Sequence, residues 1–338
     1  MTRAALLPFC GDPFLLKTWL SCFEKWQDEI DVIYIIVNCV ISPENKKYIE
    51  SLLDPLVKKN KCVYLFFDKN LDHGPALDKA LSICTKDLIM LVEEDGFIFK
   101  PNMVSQCFKF LEDGKADIIA SPRGSCSREI YEKAEKVWGT PAQTPNFWPN
   151  FFFISRENLL KTDRHFHAKA WYKNDYIKEL DLTITDDISP ADTFVWASIQ
   201  LRGMGLRVEL MDQYHSRIED IQDRDQIKGI FDRKCPWIHI GSLSGWQNVL
   251  FSPILQFRIG EVEEWERRAG AWLMFWEDAQ NDLPENMKEF SREYKAGIDR
   301  LITEYTLSPA RVKLRAELFR SLINPELHAK RQKEANKV

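Results

Sequence analysis

Through its first 121 residues the chain alternates short apolar runs with stretches of helical spacing, and this alternation restricts the fold more than any other feature. Residues 4–9, 32–37, 62–67, 88–92 and 116–120 read as strands. Helix starts lie between them: Asp12-Pro13, Ser42-Pro43, His73-Gly74-Pro75 and Pro101. Asp and Ser oxygens cap helix N-termini, and proline fits the first helical position, where its missing N–H costs nothing. The strands are apolar throughout instead of alternating with polar residues, which is the pattern of a sheet covered on both faces. Strands separated by crossover helices give an α/β fold with a mostly parallel sheet and flanking helices.

After residue 121 the pattern loosens. A helix is expected near 127–137, a strand ending at Ile154, and a helix from Ser189 to about Arg202, closed by Gly203 and Gly205. A further strand follows over 206–211. From Glu261 the character is helical. Val262, Trp265, Ala269, Trp272, Leu273 and Trp276 share one face, and helices over 285–306 and 309–322 come next.

Composition excludes several classes. The glycine-rich fingerprints of dinucleotide-binding and P-loop proteins are absent, which disfavours hydride transfer and P-loop NTP hydrolysis. A net charge of −5 does not suit a polyanion binder, although residues 309–338 carry eight Lys/Arg against three Asp/Glu. That segment reads as a solvated, fraying helix or as a contact to phosphates or a membrane surface. The eight cysteines are dispersed without metal-type spacing, which fits a reducing compartment. With no run of 18 apolar residues and no signal-like start, a cytoplasmic chain without a transmembrane segment is expected.

Five places carry candidate chemistry. The run 88–92 ends in Glu93-Glu94-Asp95, three carboxylates at the end of a buried strand. Ligands of open α/β sheets bind there, and hard cations want oxygen ligands, so Asp95 and Glu93 are candidates for Mg²⁺ or Mn²⁺. A solvated acidic turn is the plainer alternative. Asn70, His73 and Gly74 lie in a turn before a helix N-terminus, where backbone can approach an anion or merely cap a helix. Asp192 is a candidate general base or a simple helix cap. His215 follows a strand, and His239 precedes a glycine- and serine-rich loop containing Ser242, which could close over a ligand. Trp148, Phe151 and Trp246 are candidate aromatic stacking platforms.

In order and spacing, residues 1–245 resemble the GT-A glycosyltransferases, especially family 2. In that family an apolar strand ends in an Asp-x-Asp metal motif, and Glu93-Glu94-Asp95 stands in its place with Glu for the first Asp. The Asn70 to Gly74 turn matches the family's nucleotide-contacting turn. Ala191-Asp192, followed by Arg202, Gly205 and a strand, matches its Glu-Asp, helix, Arg and Gly, with Ala for Glu. The resemblance implies Asp192 as catalytic base and Asp95, Glu93, His215 and His239 around the metal. It implies Pro8, Asn38, Asn70, His73, Gly74, Glu94, Arg202 and Ser242 at the nucleotide sugar. Trp148, Asp186, Asp187 and Trp246 would serve the acceptor.

The organisation so implied is a catalytic domain over 1–250 and a helical region over 251–338. Within the domain, residues 1–121 would be the nucleotide-binding half and 122–250 the acceptor half. The implied reaction is metal-dependent transfer of a sugar from a nucleoside diphosphate to a hydroxyl of a glycan, a lipid-linked sugar or DNA, with inversion. A nucleotidyltransferase and a non-catalytic sugar-nucleotide-binding module are the alternatives. The first normally shows a basic, glycine-rich phosphate loop after the first strand, unlike Cys10-Gly11-Asp12-Pro13.

Overall fold

The computed structural model describes residues 1–67, 69–99, 101–122, 126–138, 147–163, 166–210, 228–229, 233–234, 237–241, 243–252 and 262–335. Along the chain, β1 (Arg3–Phe9) leads through α1 (Pro13–Phe23) to β2 (Val32–Val37), α2 (Pro43–Lys58), β3 (Cys62–Phe66), α3 (His73–Ile83), β4 (Leu88–Val92) and the short β5 (Gly96–Ile98). Next come α4 (Met103–Glu112), β6 (Ile118–Pro122), α5 (Arg128–Trp138), β7 (Phe147–Ser155) and the single turn α6 (Arg156–Leu159). Four short strands follow, β8 (Lys169–Tyr172), β9 (Tyr176–Ile177), β10 (Leu182–Thr183) and β11 (Ile188–Ala191), then α7 (Val195–Gly203) and β12 (Val208–Leu210). The chain continues with β13 (Lys228–Gly229), β14 (Arg233–Lys234), β15 (Trp237–His239) and α8 (Trp246–Leu250). It ends with α9 (Val262–Ala279), α10 (Lys288–Glu304), α11 (Pro309–Ile323) and α12 (Pro325–Ala335).

Seven strands form the central sheet in the order β12-β6-β7-β4-β1-β2-β3. Only β7 runs against its neighbours β4 and β6 within this sheet; the other six strands point the same way. Side chains alternate across the pleat. Ala5, Leu7, Ile33, Ile35, Met90 and Val92 meet α1, α2, α4 and the C-terminal helices. Ala4, Leu6, Ile36, Ile89 and Leu91 meet α3 and α7. This is the expected two-sided burial. The capping expectations hold too: Asp12 accepts from the N–H groups of Phe14 and Leu15, and Ser42 from that of Asn45.

Two expectations are corrected. Residues 188–191 are a strand, not the first turn of a helix, because Ser189 and Ala191 are buried while Ile188 and Pro190 face out, a period of two. The helix starts only at Val195, after Phe194 takes a left-handed φ of 72°. Residues 309–335 are not a frayed tail. Val312, Ala316, Phe319 and Ile323 are buried against the rest of the helical region. The four arginines there are paired internally: Arg311 with Glu266 (3.0 Å), Arg315 with Glu263 (2.8 Å), Arg320 with Glu277 and Asp278 (2.7 Å each), and Arg331 with Glu277 (2.8 Å). These guanidinium groups answer acids of α9, so the arginines of the segment are engaged within the helical region. Among the described residues, no helix is long and apolar enough to cross a membrane.

The C-terminal helices lie against the start of the chain. Gly297 of α10 sits so close to α8 that a Cβ would be 2.3 Å from the Leu250 carbonyl oxygen. Tyr294 of α10 donates its hydroxyl to Asp12 Oδ2 at 2.8 Å. Phe14 stacks edge-on to Tyr294, with ring centres 5.0 Å apart.

Candidate functional site

β1, β2 and β3 build the sheet in one direction, and the chain then returns past β1 to lay down β4 on its other side. The connections leaving β1 and β4 therefore part, and a crevice opens at their carboxyl ends. A cleft of about 500 Å³ lies there, lined by Pro8 to Cys10 after β1, Asn38 and Cys39 after β2, Asn70 to His73 before α3, and Glu93 to Asp95 after β4. Asp192, Thr193, His239, Ser244, Gly245 and Asn248 complete the wall.

A small antiparallel pair brings the late histidine to the acidic strand end. β15 pairs with β5 so that His239 lies opposite Gly96, and the Ile240 N–H donates to the Asp95 carbonyl at 3.0 Å. Trp237 of β15 stacks on Phe151 at 4.6 Å, and the Trp19 indole donates to the Gly96 carbonyl at 3.1 Å. The turn at 93–96 is thus held from both sides. His239 Nε2 lies 3.1 Å from Asp95 Oδ1 and 3.3 Å from Glu93 Oε2. One ligand atom from each of Glu93, Asp95 and His239 falls within 4.8 Å of the others.

Electrostatics mark this spot as one that wants positive charge. Burial disfavours an imidazolium at His239, yet the carboxylates of Asp95 and Glu93 outweigh it and push the ring up to about 10. Burial likewise opposes ionisation of Asp95, but His239 holds its carboxyl below the usual range. Two carboxylates and one imidazole nitrogen form a donor set that fits a divalent cation. Arg267 of α9 approaches from behind, its guanidinium 3.8 Å from where a Gly241 Cβ would lie, and its charge acts on Asp95.

The neighbouring side chains divide the remaining tasks. Glu94 accepts from the Cys10 N–H and so ties the end of β1 to the end of β4; burial and then Asp95 push its carboxyl well above the ordinary value. Asn38 donates to the Leu71 carbonyl at 3.0 Å and accepts from the Leu71 N–H at 3.4 Å, so its side chain anchors the 70–72 loop. His73, at the start of α3, stands 3.5 Å from Glu93 on the carboxylate oxygen not facing His239. Asp192 is exposed in the loop before α7, with its carboxylate accepting from the Thr193 N–H at 2.7 Å.

Pro8, Asn38, Asn70, His73, Glu93, Glu94, Asp95, Asp192 and His239 thus share one cleft, as the sequence suggests. Other expected residues lie elsewhere. Gly74 meets protein, not ligand: a Cβ there would be 2.3 Å from the Phe166 carbonyl oxygen. Arg202 is buried at the end of α7, its guanidinium 5.6 Å from the Trp138 ring centre. Trp246 is fully buried, donates to the Cys10 carbonyl at 3.2 Å and packs among Phe251, Phe290 and Tyr294, so it offers no open stacking face. Asp186 and Asp187 are exposed before β11, away from the cleft lining. Trp148 lies on β7 opposite Ser121 in register. His215 and Ser242 fall outside the described residues.

Sequence reasoning missed Asp72, Thr193, Ser244 and Asn248 on the wall, and Tyr294 and Arg267 behind it. A periodic helix such as α9 or α10 gives no local signal that one of its polar residues reaches a distant turn.

A family model described as glycosyl transferase family 2 matches residues 6–180. A search of curated protein sequences found no match. Among solved structures, the mannosyltransferase PcManGT of Pyrobaculum calidifontis, in complex with GDP-Man and Mn²⁺, is 12% identical with a TM-score of 0.44; the match covers 96% of this chain and 81% of that one. TarS 1-349 of S. aureus, in complex with UDP-GlcNAc, is 11% identical with a TM-score of 0.43, covering 96% and 89%. A glucosyl-3-phosphoglycerate synthase from Mycobacterium tuberculosis is 13% identical with a TM-score of 0.34, covering 48% and 59%. These likenesses are distant, and the family match carries the assignment.

Proposed function

The chain belongs to glycosyl transferase family 2, and from that premise we propose that it moves a sugar from a nucleoside diphosphate to an acceptor hydroxyl with inversion, using Asp192 as base and a divalent cation held by Asp95, Glu93 and His239. The observation that carries this reading is the meeting of those three ligand groups, from β4 and β15, in the crevice where the strand order reverses. The two carboxylates suit Mn²⁺ or Mg²⁺ as the ion. When bound, the cation neutralises charge on the departing diphosphate.

The protein's own groups do the rest. Asn38 and Leu71 hold the two loops between which a nucleotide would enter, and the N-terminus of α3 directs its dipole at the same space. Glu94 fixes the spacing between the β1 and β4 ends. Asp192 stands on the wall formed by the second part of the chain, where it takes the proton of the acceptor hydroxyl as that oxygen attacks the anomeric carbon. The new C–O bond forms as the bond to the diphosphate oxygen breaks, and the diphosphate leaves with the electron pair. Attack from the face opposite the leaving group gives inversion.

Titration calorimetry with Mn²⁺ and with UDP- and GDP-sugars tests the donor side. Asp95→Asn, which removes a direct ligand, is expected to weaken Mn²⁺ binding by at least the roughly hundredfold that loss of an outer partner can cost. Asp192→Asn is expected to bind Mn²⁺ and nucleotide as the parent does while losing transfer. Unchanged Mn²⁺ affinity in Asp95→Asn would remove the cation from that place, and full transfer by Asp192→Asn would remove the base.

A further inference from the structure

Resting on the glycosyltransferase reading, we infer that the acceptor is an oligosaccharide that lies along the outer face of the β8–β11 hairpin and ends at Asp192. β11 pairs antiparallel with β8, setting Ile188 opposite Tyr172, Ser189 opposite Trp171, Pro190 opposite Ala170 and Ala191 opposite Lys169. The pleat sends Ser189, Ala191 and Trp171 inward. Ile188 and Tyr172 remain 54% and 59% exposed, and Pro190 is exposed as well. Asp192 continues the outward alternation and lines the cleft. An apolar strip of Tyr172, Ile188 and Pro190 therefore runs straight into the proposed base.

The strip is held rigidly. The Ser127 N–H donates to the Pro190 carbonyl at 2.9 Å, and Cys126 bridges Ala191 on the free edge of β11. Beneath the hairpin, the Lys169 ammonium lies 4.1 Å from the Trp196 ring centre and 5.0 Å from that of Trp171. A single exposed apolar residue means little, but a stiff row that leads into a cleft is a binding surface.

Its chemistry selects the occupant. From Ile188 to Asp192 four residues of extended chain span about 13 Å, more than one monosaccharide covers. Tyrosine and proline rings present flat apolar faces that match the C–H face of a pyranose, while hydroxyls need both donors and acceptors at the rim. Lys173, Asp175, Asp186 and Asp187 supply both, and Lys173 stands 3.7 Å from Asp187. Three acids against one lysine repel a phosphate backbone, so this rim disfavours a nucleic-acid acceptor.

The test is a glycan array probed with the full chain, alongside Tyr172→Ala and Tyr172→Phe, with UDP- and GDP-sugar binding measured on the same preparations. The wild type is expected to bind oligosaccharides over monosaccharides. Tyr172→Ala is expected to bind them about tenfold more weakly, with Tyr172→Phe near normal and nucleotide binding equal in all three. Array binding that survives Tyr172→Ala, no bound glycan at all, or a preference for DNA overturns the inference. Absence of nucleotide-sugar binding in the wild type instead overturns the glycosyltransferase reading beneath it.

Discussion

Asp12 caps α1 through one carboxylate oxygen and receives the Tyr294 hydroxyl on the other, and it does so fully buried. Burial raises its pKa from 3.8 to about 6, against the pull of those hydrogen bonds. Between about pH 4 and pH 6 the folded chain therefore keeps a proton that the unfolded chain has lost. Stability from this group is present in full below the lower value and declines as pH rises through the upper one. Asparagine caps as well as aspartate and carries no charge to bury. Asp12→Asn is expected to gain stability relative to the parent between pH 4 and pH 7, by a difference on the order of 3 kcal/mol. Melting temperatures across that range check it, and parallel pH profiles for the two proteins would refute it. At this scale the sequence was legible where a residue's surroundings are local: the cap at Asp12 and the acids that follow β4 into the cleft. It misled at Gly74 and Trp246, whose neighbours, Phe166 and the α10 aromatics, are far away in sequence.

Elements were readable in proportion to their own periodicity. The first five apolar runs became β1, β2, β3, β4 and β6, because a strand buried on both faces needs a continuous apolar run and little else. The pieces that brace the cleft wall, β5, β11 and β15, have three or four residues each. Such short strands exist only through their partners, so nothing in a window of that length announces them. The same dependence on partners holds for α10, which presses Gly297 onto the Leu250 backbone. Gly297→Val leaves helix propensity nearly unharmed but has no room for its side chain. It is expected to lower unfolding free energy by about 1–3 kcal/mol, measured by urea denaturation, and a neutral effect would show that α8 and α10 can separate at little cost.

Over the whole molecule, the helical region from Val262 onward shares one hydrophobic core with the sheet and α1. α9 packs on α1, Arg267 stands behind the His239 turn, and Tyr294 anchors the turn that begins the cleft. A chain cut after residue 252 would leave the α1 face of the core, with Phe14 at its centre, open to water. The full chain is expected to melt in one cooperative transition and the shortened chain without one, as read by calorimetry or near-ultraviolet circular dichroism. A sharp transition in the shortened chain would make the helices dispensable. The Tyr294–Asp12 bond also has a consequence in time. Its partners are separated by 282 positions, so at about 5–20 residues per second the ribosome delivers the second roughly 15 to 60 s after the first. Through that interval the first strand and its helix exist without the group that seats them, and the cleft is finished only once α10 has been delivered.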